Sequence, residues 1–442
     1  MKKQILILFC TLFFVYGGHI VSAGIFNPKE FTLANGMRCI VIENPTSPAV
    51  FHSLWVQVGG ADEKIGQSGK AHFLEHLMFR GTEKLAPGQY DKIIHELGGE
   101  NNAFTSQDVT VYHVKIAKEN LAKIMEIEAD RLTGLKITDD VFIPEKKVIL
   151  EERQSRVDNN PMGLMIEQMT AQLYLHHPYR IPVIGWMNEI KELTREQVME
   201  FYQKHYVPNN VILIVSGDVK VDDVKKLAEQ YYGPLKQGEL DNRVRVSEPP
   251  AHIEKKITLH HSQVTQPQMI RMYRAPKFTG KDADKEVACE VLAEILGGGQ
   301  SSIFYDQLVI KNKQALGIDC GFYSQKDDSK FTIAAVPTPS VDPVLLEVSI
   351  DQIITNLLAN GINDEELIRI KKKLDADSVY ARDSLDKGAK AIGHALTGNG
   401  QISDVEEWNK HLESVTKEKV LEVARVIFDS NKAVTAYLRP KV

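Results

Sequence analysis

HFLEHLMFRGTEK, residues 72–84, sets two imidazoles and a carboxylate into an otherwise apolar run. Phe73, Leu74, Leu77, Met78 and Phe79 have the spacing of a buried helix that Gly81 ends. Unpaired polar groups are costly to bury, so His72, Glu75 and His76 need partners. In a helix, positions 72 and 76 lie about one turn apart on one face, with Glu75 beside them. Two imidazoles so placed suit a divalent metal such as zinc, which takes about four ligands and, when catalytic, leaves one position to water. A neighbouring carboxylate can take that water's proton as general base. The pentad alone also fits a helix whose polar residues are satisfied by neighbours, and a zinc site needs a third protein ligand.

PEKKVILEERQSRV, residues 144–157, offers one. Read as a helix starting at about Pro144, it puts Glu145 and Glu152 on one face, about two turns apart, and turns Glu151 away by about 100°. Such a pair can give one metal ligand and one supporting partner. On spacing alone a solvated acidic face fits equally well.

The pentad, the later VILEE (148–152) and GGENNAFTSQDVTVY (98–112) together resemble the pitrilysin family of inverted zinc peptidases, whose signature is HxxEH with a distant Glu. The resemblance spans essentially the whole chain after its leader. It is to the short members, such as the zinc subunit of the mitochondrial processing peptidase and its bacterial relatives. It implies a zinc metalloendopeptidase acting on peptides or unfolded segments. His72, His76 and Glu152 would bind one zinc ion per chain, with Glu75 as base and Glu145 as supporting carboxylate of the catalytic set. It further implies that Asn102, Ala103 and Phe104 lie on an edge strand beside the metal, where an extended substrate adds as another strand. By residue type alone, Asn102 and Phe104 also suit a turn and a core aromatic.

The chain departs from the family in its second half, where members carry an Arg and a Tyr that bind the substrate carbonyl. The matching stretch, LVIKNKQALGIDCG (308–321), has Ile318 at the Tyr position and no Arg among Val309, Ile310 and Lys311. Lys311 supplies charge but not a planar fork of donors. A chain without that pair lacks a stabiliser for the developing oxyanion. The resemblance therefore implies the zinc subunit of a heterodimer, its partner a related chain that lacks HxxEH and carries Arg and Tyr. A homodimer is the alternative. The rival function is a noncatalytic structural or binding subunit of the same fold, which has no use for Glu75.

At 442 residues the chain exceeds one ordinary core. LTREQVMEFYQKHYVPNNVILIVSGDV, from Leu193, is echoed by VTKEKVLEVARVIFDSNKAVTAYLRP, from Val415: a helix opening on Thr, an Asn loop, then an apolar strand. GPLKQGELDNRVRVSEPP (233–250) reads as a linker between the halves. The expected fold is α+β: two homologous α/β-sandwich halves, each an antiparallel-rich sheet packed with helices. They span residues 24–235, which hold the metal motif, and 251–442, joined by a linker at 236–250. Within the first half, Asn35-Gly36 marks a hairpin turn.

Lys2 and Lys3, the apolar run from Ile5 to Tyr16, and Val21-Ser22-Ala23 form a signal-peptide pattern over residues 1–23. Export across the inner membrane to the periplasm follows, with a retained anchor as the alternative. No later run is long enough to span a bilayer. The formal charge of -6 becomes -8 without Lys2 and Lys3, which argues against a nucleic-acid partner. Cys39, Cys289 and Cys320 show no metal or disulfide spacing and read as buried apolar residues. LGGGQSS (296–302) lacks a phosphate-loop Lys and reads as a helix stop. The pairs His176-His177 and His260-His261 read as surface or loop residues outside the metal site.

Overall fold

The structure, a computed structural model, describes residues 24–441, so the expected leader lies outside the described residues. The first sheet contains β1 (Lys29–Thr32), β2 (Arg38–Glu43), β3 (Ala49–Val56), β4 (Glu100–Thr105), β5 (Thr110–Ala117) and β6 (Val211–Gly217), in the order β1-β2-β6-β3-β5-β4. The second contains β7 (Lys255–His261), β8 (Gln268–Pro276), β9 (Ala315–Tyr323), β10 (Asp328–Pro337) and β11 (Ala433–Pro440), in the order β7-β11-β8-β10-β9. The halves share one topology. In each, the final strand returns after a long helical excursion and inserts beside the first long strand, giving the parallel pairs β2/β6 and β7/β11. The echoed segments end in these strands, β6 and β11. Every residue of β6, VILIVSG, is buried, as a strand covered on both faces requires.

Local chemistry sets the elements. The hairpin β1/β2 turns where expected, with Gly36 at φ +84° and Leu33 N–H bonded to the Met37 carbonyl at 2.9 Å. The helix Asp139–Arg153 starts earlier than Pro144 suggests. Thr138 sits at its N-cap position, Asp139 and Asp140 occupy the first turn, and Pro144 lies inside. Acidic residues at the positive end of the helix dipole outweigh the one backbone bond that proline removes so near the start. Residues 236–252 carry no helix or strand.

Each sheet is covered on one face by helices of its own half and on the other by a helix of the opposite half. Met165, Met169 and Leu173 of the helix Pro161–Leu173 pack on Met272, Val434, Ala436 and Leu438 of the second sheet. Reciprocally, Ala389 and Ile392 of the helix Lys387–Thr397 pack on Ile40, Trp55, Ile212 and Ile214 of the first. Gly393 permits this approach, since a Cβ there would come within 2.2 Å of the Trp55 ring. Cys39, Cys289 and Cys320 are free and buried. No helix among the described residues is long and apolar enough to cross a membrane.

Candidate metal centre

The pentad lies on the helix Lys70–Leu77, hereafter the motif helix, packed between the edge strand β4 and the helix Asp139–Arg153. Its N-cap residue is Gly69, at φ +91°, where a Cβ would come within 2.7 Å of the Ile184 carbonyl oxygen. Glycine has no side chain to cap the helix, and Glu63 does so from outside. Its two oxygens accept the Gly69 N–H at 2.8 Å and the Ala71 N–H at 2.6 Å. The helix that bears the imidazoles is thereby pinned at its start.

One ligand atom from each of His72, His76 and Glu152 lies within 4.8 Å of the others. Glu152 approaches His76 Nε2 at 3.1 Å and His72 Nε2 at 3.7 Å. Glu145, on the same helix, accepts from His76 Nδ1 at 2.9 Å and from Arg80 Nε at 2.6 Å. With its Nδ1 so engaged, His76 turns Nε2 toward Glu152. Glu151 is exposed, as its rotation predicts. Arg156 pairs with Glu152 at 2.7 Å from the solvent side.

The two imidazoles differ electrostatically. Burial and the neighbouring His76 push His72 down to about 4, so it is neutral and its lone pair is free to coordinate. Burial also opposes charge on His76, but hydrogen bonds to Glu145 and Glu152 outweigh it and raise this imidazole to about 9. Its hydrogen bond to His76 holds Glu152 below the usual carboxylate range. Two nitrogens and a carboxylate at this spacing, one imidazole backed by a carboxylate, fit the donor set of zinc. A divalent cation here would displace the proton shared by His76 and Glu152.

Glu75 points to β4. Thr105 Oγ1 donates to its Oε2 at 2.5 Å, and burial raises its carboxyl above the ordinary value. The strand alternates. Ala103 packs with the core on the motif-helix side, whereas Phe104 packs between Trp55 and His394 on the opposite face. Asn102 shares Phe104's side of the strand, so of the three residues assigned to the substrate edge only Ala103 faces the metal side, along with Asn101 and Thr105. Ser106 N–H bonds to the Val109 carbonyl at 2.8 Å, so even-numbered residues bond inward to β5 and the odd ones present N–H and C=O at the free edge. The Ala103 N–H donates to Asn102 Oδ1 at 2.8 Å.

Sequence reasoning missed Thr105, Arg80 and Glu63. Thr105 lay within the quoted NNAFT, and Arg80 falls one helical turn beyond His76. Glu63 left no signal, since its link to the motif helix depends on a loop. In the second half, Ile318 is 8% exposed and Lys311 is paired with Asp306 at 2.6 Å, so neither presents a free donor. The surface reading of His177 is corrected: it is 2% exposed, pairing with Asp327 at 3.3 Å and accepting the Tyr179 N–H, because its ring packs against Tyr174 and Tyr179. His260 and His261 end the strand β7.

The family model described as Insulinase (Peptidase family M16) matches residues 38–185, and that described as Peptidase M16 inactive domain matches residues 192–374. A Helicobacter pylori protein named zinc protease PqqE is 30% identical over 418 residues, covering 93% of each chain. A Rickettsia felis protein named an uncharacterized zinc protease is 27% identical, over 90% of this chain and 94% of its own. The crystal structure of a protease from Helicobacter pylori superposes with a TM-score of 0.87 at 29% identity, covering 93% of this chain and 99% of that one.

Proposed function

The chain belongs to the insulinase family of peptidases, family M16, and from that premise we propose that it is a zinc endopeptidase in which Glu75 takes the proton of the attacking water. The observation that carries this reading is the convergence of His72, His76 and Glu152 within 4.8 Å, beside a Glu75 turned to an edge strand. Bound by those three side chains, one zinc ion would supply Lewis acidity to the scissile carbonyl and to water.

This chain's own residues account for the rest. Glu145 and Arg80 orient His76 so that Nε2 faces the cluster. Burial places the Glu75 carboxyl nearer neutrality, where it can both accept a proton and return it to the leaving amine. The outward backbone groups of Asn101, Ala103 and Thr105 suit an extended peptide, which reads little side-chain sequence when held by main-chain bonds. Unfolded segments and peptides are therefore the substrate class. Asn102 Oδ1 must release the Ala103 N–H for such a strand to pair there.

The oxyanion donor comes from a second chain, a related subunit with the Arg/Tyr pair and no HxxEH. The absence of a free cation at Lys311 and the apolar Ile318 support this over a homodimer. The leader pattern at residues 1–23 supports a periplasmic location for the complex. A noncatalytic role remains the rival, and one experiment separates them: zinc content and cleavage of a fluorogenic peptide by wild type and Glu75→Gln, each with and without the co-expressed partner. Glu75→Gln keeping its zinc while losing cleavage supports the peptidase. Undiminished cleavage by that variant would sink the mechanism, and full activity of the lone chain as a monomer would sink the partner.

A further inference from the structure

Glu152 is followed directly by a buried cation. Arg153, the last residue of the helix Asp139–Arg153, is 3% exposed. A π-turn, Gln154–Asp158, then leads into the helix Pro161–Leu173, which Asn160 caps by accepting the Met162 and Gly163 N–H groups at 3.0 and 3.2 Å. The Arg153 guanidinium reaches across that turn to Glu167, Nη1 donating to Oε2 at 2.8 Å and Nη2 to Oε1 at 3.1 Å. Nη1 also donates to the Gly185 carbonyl at 2.7 Å, and Nη2 to Asp158 Oδ1 at 3.3 Å. A planar fork of donors fixes direction as well as distance, which an ammonium could not. Desolvation offsets much of the attraction in so buried a pair, so geometry is the role it suits best.

The guanidinium joins the two ligand-bearing helices to the helix exchanged between the halves. Gly185 lies against the start of the motif helix: a Cβ on it would come within 2.6 Å of the Ser68 carbonyl oxygen. The Trp186 N–H donates to Ser68 Oγ at 2.9 Å, and the Ser68 N–H to Glu189 Oε2 at 2.7 Å. Arg153 therefore holds the end of the helix that bears Glu152 and, through Gly185, the beginning of the one that bears His72 and His76. Glu167 is two residues from Met165 and from Met169, about 200° round the helix. The methionines seat one face of that helix on the second sheet, and Glu167 presents the opposite face to Arg153.

We propose that Arg153 is a positioning residue through which the seating of the helix Pro161–Leu173 on the second sheet sets the zinc affinity of the first half. The inference rests on the zinc reading above and adds regulation to it. Among the described residues the second half contributes no ligand to the cluster, and its influence passes through Glu167 and Arg153. By the reciprocity of linked equilibria, zinc in turn tightens the seat of the exchanged helix.

The test measures the zinc dissociation constant, by competition with a chromophoric chelator, and stability to guanidinium, both on the full chain. Glu167→Gln preserves volume and leaves Arg153 its bonds to Gly185 and Asp158. It raises the zinc constant by about tenfold, the lower end of what supporting groups at metal sites contribute. Met169→Ala, an apolar change on the opposite face of the helix, raises it by about threefold. The double variant falls short of the product, about thirtyfold, because both changes act through Arg153. Ile392→Ala loosens the reciprocal helix on the first sheet and lowers stability, yet leaves the zinc constant within about twofold, which separates positioning from general destabilisation. A zinc constant within about twofold of wild type in Glu167→Gln overturns the proposal whatever happens to stability. So does an increase in Ile392→Ala that matches the one in Glu167→Gln, or a double variant that multiplies the two effects in full. If Glu167→Gln does not fold, Met169→Ala carries the test alone, and an unchanged constant there overturns the proposal equally. A wild-type chain that takes up no zinc overturns the metal centre itself, an outcome distinct from zinc held equally tightly by every variant.

Discussion

Replacing Glu145 by Gln isolates the supporting carboxylate of the proposed metal centre from the proposed ligands. The side chain is 4% exposed and divides its oxygens between His76 Nδ1 at 2.9 Å and Arg80 Nε at 2.6 Å. The amide preserves volume and one acceptor but removes the charge that raises the basicity of His76. Arg80 is 40% exposed and can turn to solvent, so the fold loses little. Carboxylates behind metal-binding imidazoles are worth about 10–100-fold in metal affinity, or about 1.4–2.7 kcal/mol. The expected outcome is a zinc dissociation constant raised by that factor, measured by competition with a chromophoric chelator, with kcat/KM largely restored at saturating zinc. A dissociation constant within about twofold of the parent would refute the reasoning, because it would mean that neither the charge nor the tautomer set by Glu145 matters to the site.

Three further outcomes follow from other parts of the molecule. Thr105→Val removes the one side-chain donor to Glu75 among the described residues, and since that bond favours the ionised form, the acid limb of kcat/KM moves to higher pH by about one unit; an unmoved limb contradicts the contact. Ile392→Ala, at a fully buried position where the exchanged helix meets the first sheet, lowers stability to guanidinium by about 2–5 kcal/mol, and a loss under about 1 kcal/mol would show that the exchange contributes little. His52 is fully buried beside the Tyr232 hydroxyl, and burial lowers it to about 4. The folded state therefore binds its proton less readily than the unfolded chain: the contribution is whole above about 6.5 and is lost as pH falls to about 4, amounting to about 3 kcal/mol. Equilibrium unfolding across that window should show a shallower acid loss in His52→Gln than in wild type.

Much of the architecture was legible because it rests on short-range pattern. Asn35-Gly36 marked its hairpin, the echo of Leu193 and Val415 marked two strands that occupy the same place in two sheets, and the loop of 236–250 carries no regular element. Pro144 misled because proline is a good start signal, yet here the aspartates before it start the helix first. His177 misled because loop composition says nothing of what folds over the loop.

The sequence by itself placed two imidazoles on one helical face with a carboxylate beside them, and Glu145 and Glu152 on one face of another helix, as the 3.6-residue period requires; that these form one donor set came from the family resemblance. Only tertiary structure decided that these helices face each other, that Thr105 rather than Asn102 or Phe104 reaches Glu75, and that each half lends a helix to the other's sheet. The physical reason is range. Periodicity says which side chains share a face, but which face meets which is settled by packing across hundreds of residues. There a single glycine, Gly393 against Trp55, admits a helix from the far half of the chain.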